Sequence, residues 1–207
     1  MIIEINPVEL FRYDICAPLK IWDANLHSEN TEHNYPTGKK NQIGAYYFYN
    51  YIQIAVEVGK IASLRKELHS YWITSTKIKS TLKILDFSSC KCIHEMLDIL
   101  DSLKIQIYIE DMNFNDGTNS RDFRELQNHK YDTKLLKQTS NLMEVAWLGQ
   151  ILTDFKNGQV FKQKLEEANL SLDGYRWCEN FNPHGLTYCL FNSNELSEPF
   201  ISIVETV

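Results

Sequence analysis

The sequence predicts a single α+β domain, and three observations carry that prediction. Strand-patterned segments stand near both ends of the chain, segments with helical spacing are grouped between them, and 207 residues suffice for one domain with a substantial core. The composition, 43% hydrophobic, 23% charged and 12% aromatic, is that of an ordinary globular protein. No internal repeat, heptad array or low-complexity tract divides residues 1–207, so they are read as one domain.

The elements follow in order. Leu10-Phe11-Arg12-Tyr13 is a short apolar and aromatic strand carrying one arginine. Residues 23–43 read as a long polar loop with Pro36 and Gly38, and a loop of that length between ordered elements is more often functional than idle. Ala45 to Tyr49 is a second, aromatic strand. A helix follows, on which Ile54, Val58, Ile61, Arg65 and Leu68 would share one face, with Glu57 on or beside that stripe. Tyr71 to Thr76 and Lys83 to Phe87 read as strands. Ile93, Met96, Leu97, Leu100 and Leu103 have helical spacing, and Ile105, Ile107 and Ile109 alternate as a strand would. Residues 111–138 are a polar surface excursion. Leu142 to Phe155 is in helical register, with Gly158 as its stop and a further short helix from Val160 to Ala168. Two late strands, Gly174 to Trp177 after an Asp-Gly turn and Thr187 to Asn192, precede a last one from Phe200 to Val204.

Several functions are disfavoured by composition and spacing. With 21 basic and 27 acidic residues the formal charge is −6, which argues against broad attraction to nucleic acid or anionic membrane. No apolar run reaches bilayer-spanning length and the first residues show no secretory signal. The five cysteines have no repeating spacing, which suits a reducing, cytoplasmic setting. Cys90, Cys92 and His94 lack both zinc spacing and a second ligand pair, and Asp111-x-Asn113-x-Asn115 has its glycine, Gly117, one position late for a calcium loop. No metal site is expected. Phosphate-binding, dinucleotide-binding and serine-hydrolase glycine motifs are also missing from the sequence.

What stands out is an ordered series of short motifs. Leu10-Phe11-Arg12-Tyr13 resembles the first strand of ADP-ribosyltransferase-like enzymes, and Gly44-Ala45-Tyr46-Tyr47-Phe48 with the helix after it resembles their second motif. Lys83-Ile84-Leu85-Asp86-Phe87 is similar to the "leucine-aspartate-leucine" strand of bacterial members. Leu172-Asp173-Gly174-Tyr175 and Tyr188-Cys189-Leu190-Phe191-Asn192 resemble, in order, the "Tyr-Asp-Gly" turn and closing "Tyr-Val-Val-Phe-Asn" strand. The resemblance implies a split β-sheet core whose early, aromatic and closing strands line an NAD site. It implies that Arg12, beside Tyr13, binds the ribose and diphosphate, and that Tyr46 or Tyr47 stacks on nicotinamide. NAD would be the substrate.

The chemistry accounts for such residue types. Breaking the nicotinamide bond passes through an oxocarbenium-like state at the ribose. An arginine fork suits the diphosphate, an aromatic face suits the ring, and a carboxylate stabilises the developing positive charge. The chain departs from the family at this third requirement, since Thr187 occupies the position of the glutamate before the closing strand. Glu179, in the preceding loop, is one substitute. Glu57 is another, at about the position of the glutamate in RES-domain proteins, which are NAD-consuming toxins of toxin–antitoxin pairs. The serine of that family has no clear match here. Two functions from different classes follow. One is an NAD-consuming enzyme, transferring ADP-ribose to an acceptor protein or hydrolysing NAD as a toxin with an antitoxin partner. The other is a catalytically inactive relative that binds a nucleotide or another protein. Ordinary packing remains the competing reading for the tyrosines and Thr187, and a surface pairing with Lys60 or Arg65 for Glu57.

Overall fold

The computed structural model describes residues 1–23, 45–105, 149, 152, 155–179 and 185–206, with the backbone alone at Ile93, His94, 155–160 and Glu179. Most of the polar loop at 23–43, Gly44, the alternating Ile107 and Ile109, the excursion at 111–138 and nearly all of the helix expected from Leu142 lie outside the described residues.

Eight strands form one sheet in the order β1-β5-β6-β7-β3-β2-β4-β8. They are β1 (Ile2–Ile5), β2 (Glu9–Asp14), β3 (Tyr46–Tyr49), β4 (Ser70–Lys77), β5 (Leu82–Asp86), β6 (Gly174–Glu179), β7 (Gly185–Leu190) and β8 (Phe200–Glu205). Three helices are described: α1 (Ile52–Arg65), α2 (Ile93–Ser102) and α3 (Phe155–Glu167). Among the described strands only β5 and β6 pair in parallel; every other neighbouring pair is antiparallel. The mixed α+β class is therefore observed. β1, a strand that the sequence pattern does not mark, pairs with β5 at one margin.

Side chains alternate across the sheet, so its two faces can be read from the packing. On the first face, Tyr13, Tyr71 and Ile73 pack with Ala55 and Ala62 of α1, while Leu85, Tyr175, Trp177 and Cys189 pack with Met96 and Leu100 of α2 and Phe161 and Leu165 of α3. The boundary between these two clusters runs along β3, where Tyr47 belongs to one and Tyr49 to the other. On the second face, Leu10, Phe48, Ile84, Tyr188 and Leu190 form a third cluster, closed by Trp22 and Leu196.

α1 buries only part of the stripe its apolar residues suggest, with Ile54 buried and Val58 and Leu68 packed against the core. Ile54, Ala55, Gly59, Ala62 and Ser63 face the sheet, while Ile61 is 43% exposed. The reason is close approach: a Cβ at Gly59 would stand 2.6 Å from the Tyr71 ring and 2.9 Å from Tyr13 Cβ. Small residues let the helix sit down on two tyrosines, and Tyr71 fixes the contact by donating its hydroxyl to the Val56 carbonyl at 2.8 Å. α3 also differs from expectation, since it runs through Gly158 rather than ending there. One glycine in a helix costs only about 1 kcal/mol relative to alanine and is no obligatory stop.

All three helices end alike. Glu67, Lys104 and Asn169 take positive φ, at 56°, 60° and 53°, and the next N–H returns to the carbonyl five residues back: Leu68 to Ser63, Ile105 to Leu100 and Leu170 to Leu165. This closure satisfies carbonyls that a helix end otherwise leaves open.

Candidate functional site

The three segments singled out by resemblance are neighbours. β7, β3 and β2 lie side by side in the middle of the sheet, with Tyr49 facing Phe11 on one side and Thr187 on the other. Asp173 and Gly174 account for how β6 joins them. The Asp173 carboxylate accepts the Lys83 N–H at 2.8 Å, and the Asp173 N–H donates to the Lys83 carbonyl at 2.8 Å, clamping the turn to β5. Gly174 then lets β7 approach, because a Cβ there would overlap the Cys189 carbonyl oxygen.

Tyr13, Tyr47 and Thr187 lie on the first face, the side that carries α1 and hence Glu57. Thr187 is 3% exposed, between Tyr49 and Trp177 in register. Gly185, two residues earlier, sits under the side chain of Ile54, so the start of α1 crosses the start of β7. Asn50 fastens this corner, accepting the Leu186 N–H at 2.7 Å and donating its own N–H to the Leu186 carbonyl at 3.1 Å. Glu57 is exposed on α1, away from the apolar stripe, and makes no ion pair among the described residues; the expected alternative of a pairing with Lys60 or Arg65 is not formed. Glu179 faces Gly185 across β6 and β7, and its side chain lies outside the described residues.

Arg12 and Tyr46 lie on the second face. The Arg12 guanidinium is ion-paired with Asp14, both side chains almost wholly buried, and Thr74 on β4 donates to the other Asp14 oxygen at 2.8 Å. The i,i+2 spacing puts Arg12 and Asp14 on one side of the strand. Tyr46 and Phe48 pack edge-on against Trp22, with ring centroids 5.8 and 5.6 Å away. Trp22, just before the polar loop, donates its indole N–H to the Ser197 carbonyl at 2.8 Å. The structure thus does not bring Arg12 into one group with Tyr47, Thr187 and Glu57. It sorts the other candidates by strand face, with Glu179 outside the described side chains, and a diphosphate at Arg12 would share the guanidinium with Asp14.

A second charged group on the second face escaped the sequence reading. Arg176 donates from Nε and Nη2 to the two Asp86 oxygens at 3.0 and 2.9 Å, and from Nη1 to the Tyr188 hydroxyl at 3.1 Å. Burial pushes the Asp86 carboxyl up, but the bonds from Arg176 and from the Ser88 N–H together overcome it and hold the group below its ordinary value. The hydrogen bond to Asp86 raises Arg176, against burial. The signal was available: an arginine in Gly-Tyr-Arg-Trp and an aspartate in Leu-Asp-Phe, each inside a buried strand pattern, need partners.

Among the described residues no group of three or more His, Cys, Asp or Glu is placed to hold a metal, and no helix is long and apolar enough to cross a membrane. Burial pushes the Cys90 thiol up to about 11, which suits an inert residue. Comparisons with protein-family models, curated proteins and solved structures return no match.

Proposed function

We propose that the chain consumes NAD, as an ADP-ribosyltransferase-like protein that transfers ADP-ribose or hydrolyses the nicotinamide bond. The observation that carries this reading is the adjacency of β2, β3 and β7. These segments are separated by up to about 175 residues in sequence, and a shared NAD site requires them to be neighbours. Glu57 supplies the carboxylate in this reading. It is exposed and lies on the helix that follows the aromatic strand, a helix packed on the side of the sheet that holds Tyr47 and Thr187, with the carboxylate turned away from the sheet. An exposed carboxylate without an ion pair is available to a ribose hydroxyl at no cost of breaking a pair. A toxin of the RES type, held by an antitoxin, is the cellular form of this proposal.

A second reading, an inactive relative that binds a nucleotide or a protein, is favoured by a different observation. Arg12 is committed to Asp14, and Thr187 stands buried where the family has a glutamate. Thermal unfolding with NAD and with ADP-ribose, run beside an assay of nicotinamide release, separates the two. The enzyme is stabilised by NAD and releases nicotinamide; the inactive relative is stabilised without release. A melting temperature unmoved by either ligand, with no release, would discard both nucleotide readings.

A further inference from the structure

We propose that the outer edge of β8 pairs with the same edge of a second copy of this chain, antiparallel and centred on Ser202. β8 ends the sheet and is bonded on one side only, to β4, among the described residues. Strand alternation decides which of its backbone groups face outward. The Thr206 N–H donates to the His69 carbonyl at 2.8 Å, and this pair continues the register in which Glu205 faces Ser70. Even-numbered residues therefore turn their N–H and C=O toward β4, while Ile201, Ile203 and Glu205 turn theirs outward.

The side chains fit an edge that is used. Phe200 is 72% exposed and Ile203 62%, and alternation puts them on opposite faces of the strand. Within Phe200–Glu205 there is no lysine, arginine or proline, the residues that ordinarily blunt an open edge. Glu205 is the only charge.

The identity of the occupant follows from the strand's own sequence. Outward groups sit on odd residues, so only registers that oppose odd to odd can close a ladder. Centred on Ser202, such a register sets Ile201 against the second copy's Ile203 and Phe200 against its Val204, with Ser202 against Ser202. Glu205 then falls opposite Pro199, which has no N–H to donate and so ends the ladder on either side of the Ile201–Ile203 pairs, and the two carboxylates never face each other. A register centred on Ile203 instead opposes Ile201 to Glu205 and Ser202 to Val204, and one centred on Ile201 opposes Phe200 to Ser202 and Ile203 to Pro199, so neither matches apolar side chains along the strand. Charge placement and apolar matching thus select a second copy in the Ser202-centred register, and the paired sheets become continuous.

Sedimentation equilibrium of the full chain from about 1 to 100 µM tests the proposal, since two short strands make a small interface with a dissociation constant on the order of 10 µM. A reversible monomer–dimer equilibrium is expected, weakened at least about tenfold by Ile203→Lys and unchanged by Ile203→Val. Ile203 is exposed, so the lysine leaves the fold intact, which circular dichroism checks. Each copy carries a charge of −6, so added salt tightens the dimer. Ser202→Cys, made with the exposed Cys16 changed to serine, reports the register, because facing residues of a non-hydrogen-bonded pair lie about 4.5 Å apart at Cα and can be bridged. Mild oxidation gives a covalent dimer that a thiol reductant reverses. A chain that stays monomeric, including one that accepts only a foreign strand at β8, overturns the proposal. So does a dimer that survives Ile203→Lys or that Ser202→Cys fails to cross-link.

Discussion

Replacing Arg176 with methionine leaves the part-buried Asp86 carboxylate with Ser88 as its described hydrogen-bond donor, through the N–H at 2.9 Å and the side chain. The Arg176 and Asp86 side chains are 18% and 12% exposed, so water replaces little of what is lost. Breaking a buried pair by removing one partner costs about 3–5 kcal/mol, and partial exposure puts this case near 3 kcal/mol. Asp86→Asn keeps the shape but sets an amide against the arginine fork in place of a bidentate acceptor, a loss of about 2 kcal/mol. The double change Arg176→Met with Asp86→Leu removes both charges, and stability returns to within about 1 kcal/mol of wild type. Urea unfolding near about pH 7 measures all three, read from the midpoint at constant m value. The pH dependence gives a second readout. The folded carboxyl is held below its unfolded value of 3.8, so its contribution is complete above about pH 4 and is lost as pH falls through the lower folded value. The gap between wild type and Asp86→Asn should therefore be flat near neutrality and shrink in acid. Single variants that each cost less than about 0.5 kcal/mol, or a gap that widens in acid, would refute the reasoning.

Two further tests concern backbone geometry. Gly174→Ala places a Cβ against the Cys189 carbonyl oxygen and 3.0 Å from Leu190 Cα; backbone atoms cannot swing aside, so a loss of about 3 kcal/mol is expected in chemical denaturation. A variant as stable as wild type would show that β6 and β7 do not approach so closely. Lys104→Gly removes the strain of a left-handed lysine after α2 and should raise stability by about 1 kcal/mol, visible as a higher melting temperature, whereas a fall would contradict the helix ending described.

Much of the fold was legible because its strands carry local signals. The aromatic run of β3, the Asp-Gly start of β6 and the apolar β7 all form where patterning puts them, and β2, β3 and β7 stand side by side. Other features depend on partners remote in sequence. The buried stripe of α1 is set by the volume of Tyr13 and Tyr71, which Gly59 accommodates and an isoleucine would not, so hydrophobicity marked only one margin of the buried side. Helix ends built on Glu67 and Lys104 lack the glycine that marks such ends in a sequence. Asp86 and Arg176 lie 90 residues apart and are joined only when β5 and β6 align in parallel. The separation of Arg12 from Tyr47 follows from strand alternation, which a list of motifs in order does not weigh.

The central claim, that this chain consumes NAD with Glu57 as its carboxylate, meets its most direct test in one comparison. Nicotinamide release from NAD is followed for wild type and Glu57→Gln at equal concentration. Glu57 is exposed and outside any described ion pair, so the substitution leaves the melting temperature unchanged and any lost activity belongs to the chemistry. Wild type is expected to release nicotinamide, and the variant to lose about 100-fold or more of that activity. Equal release by the two proteins would contradict the role given to Glu57, and no release by wild type would contradict the proposed function itself.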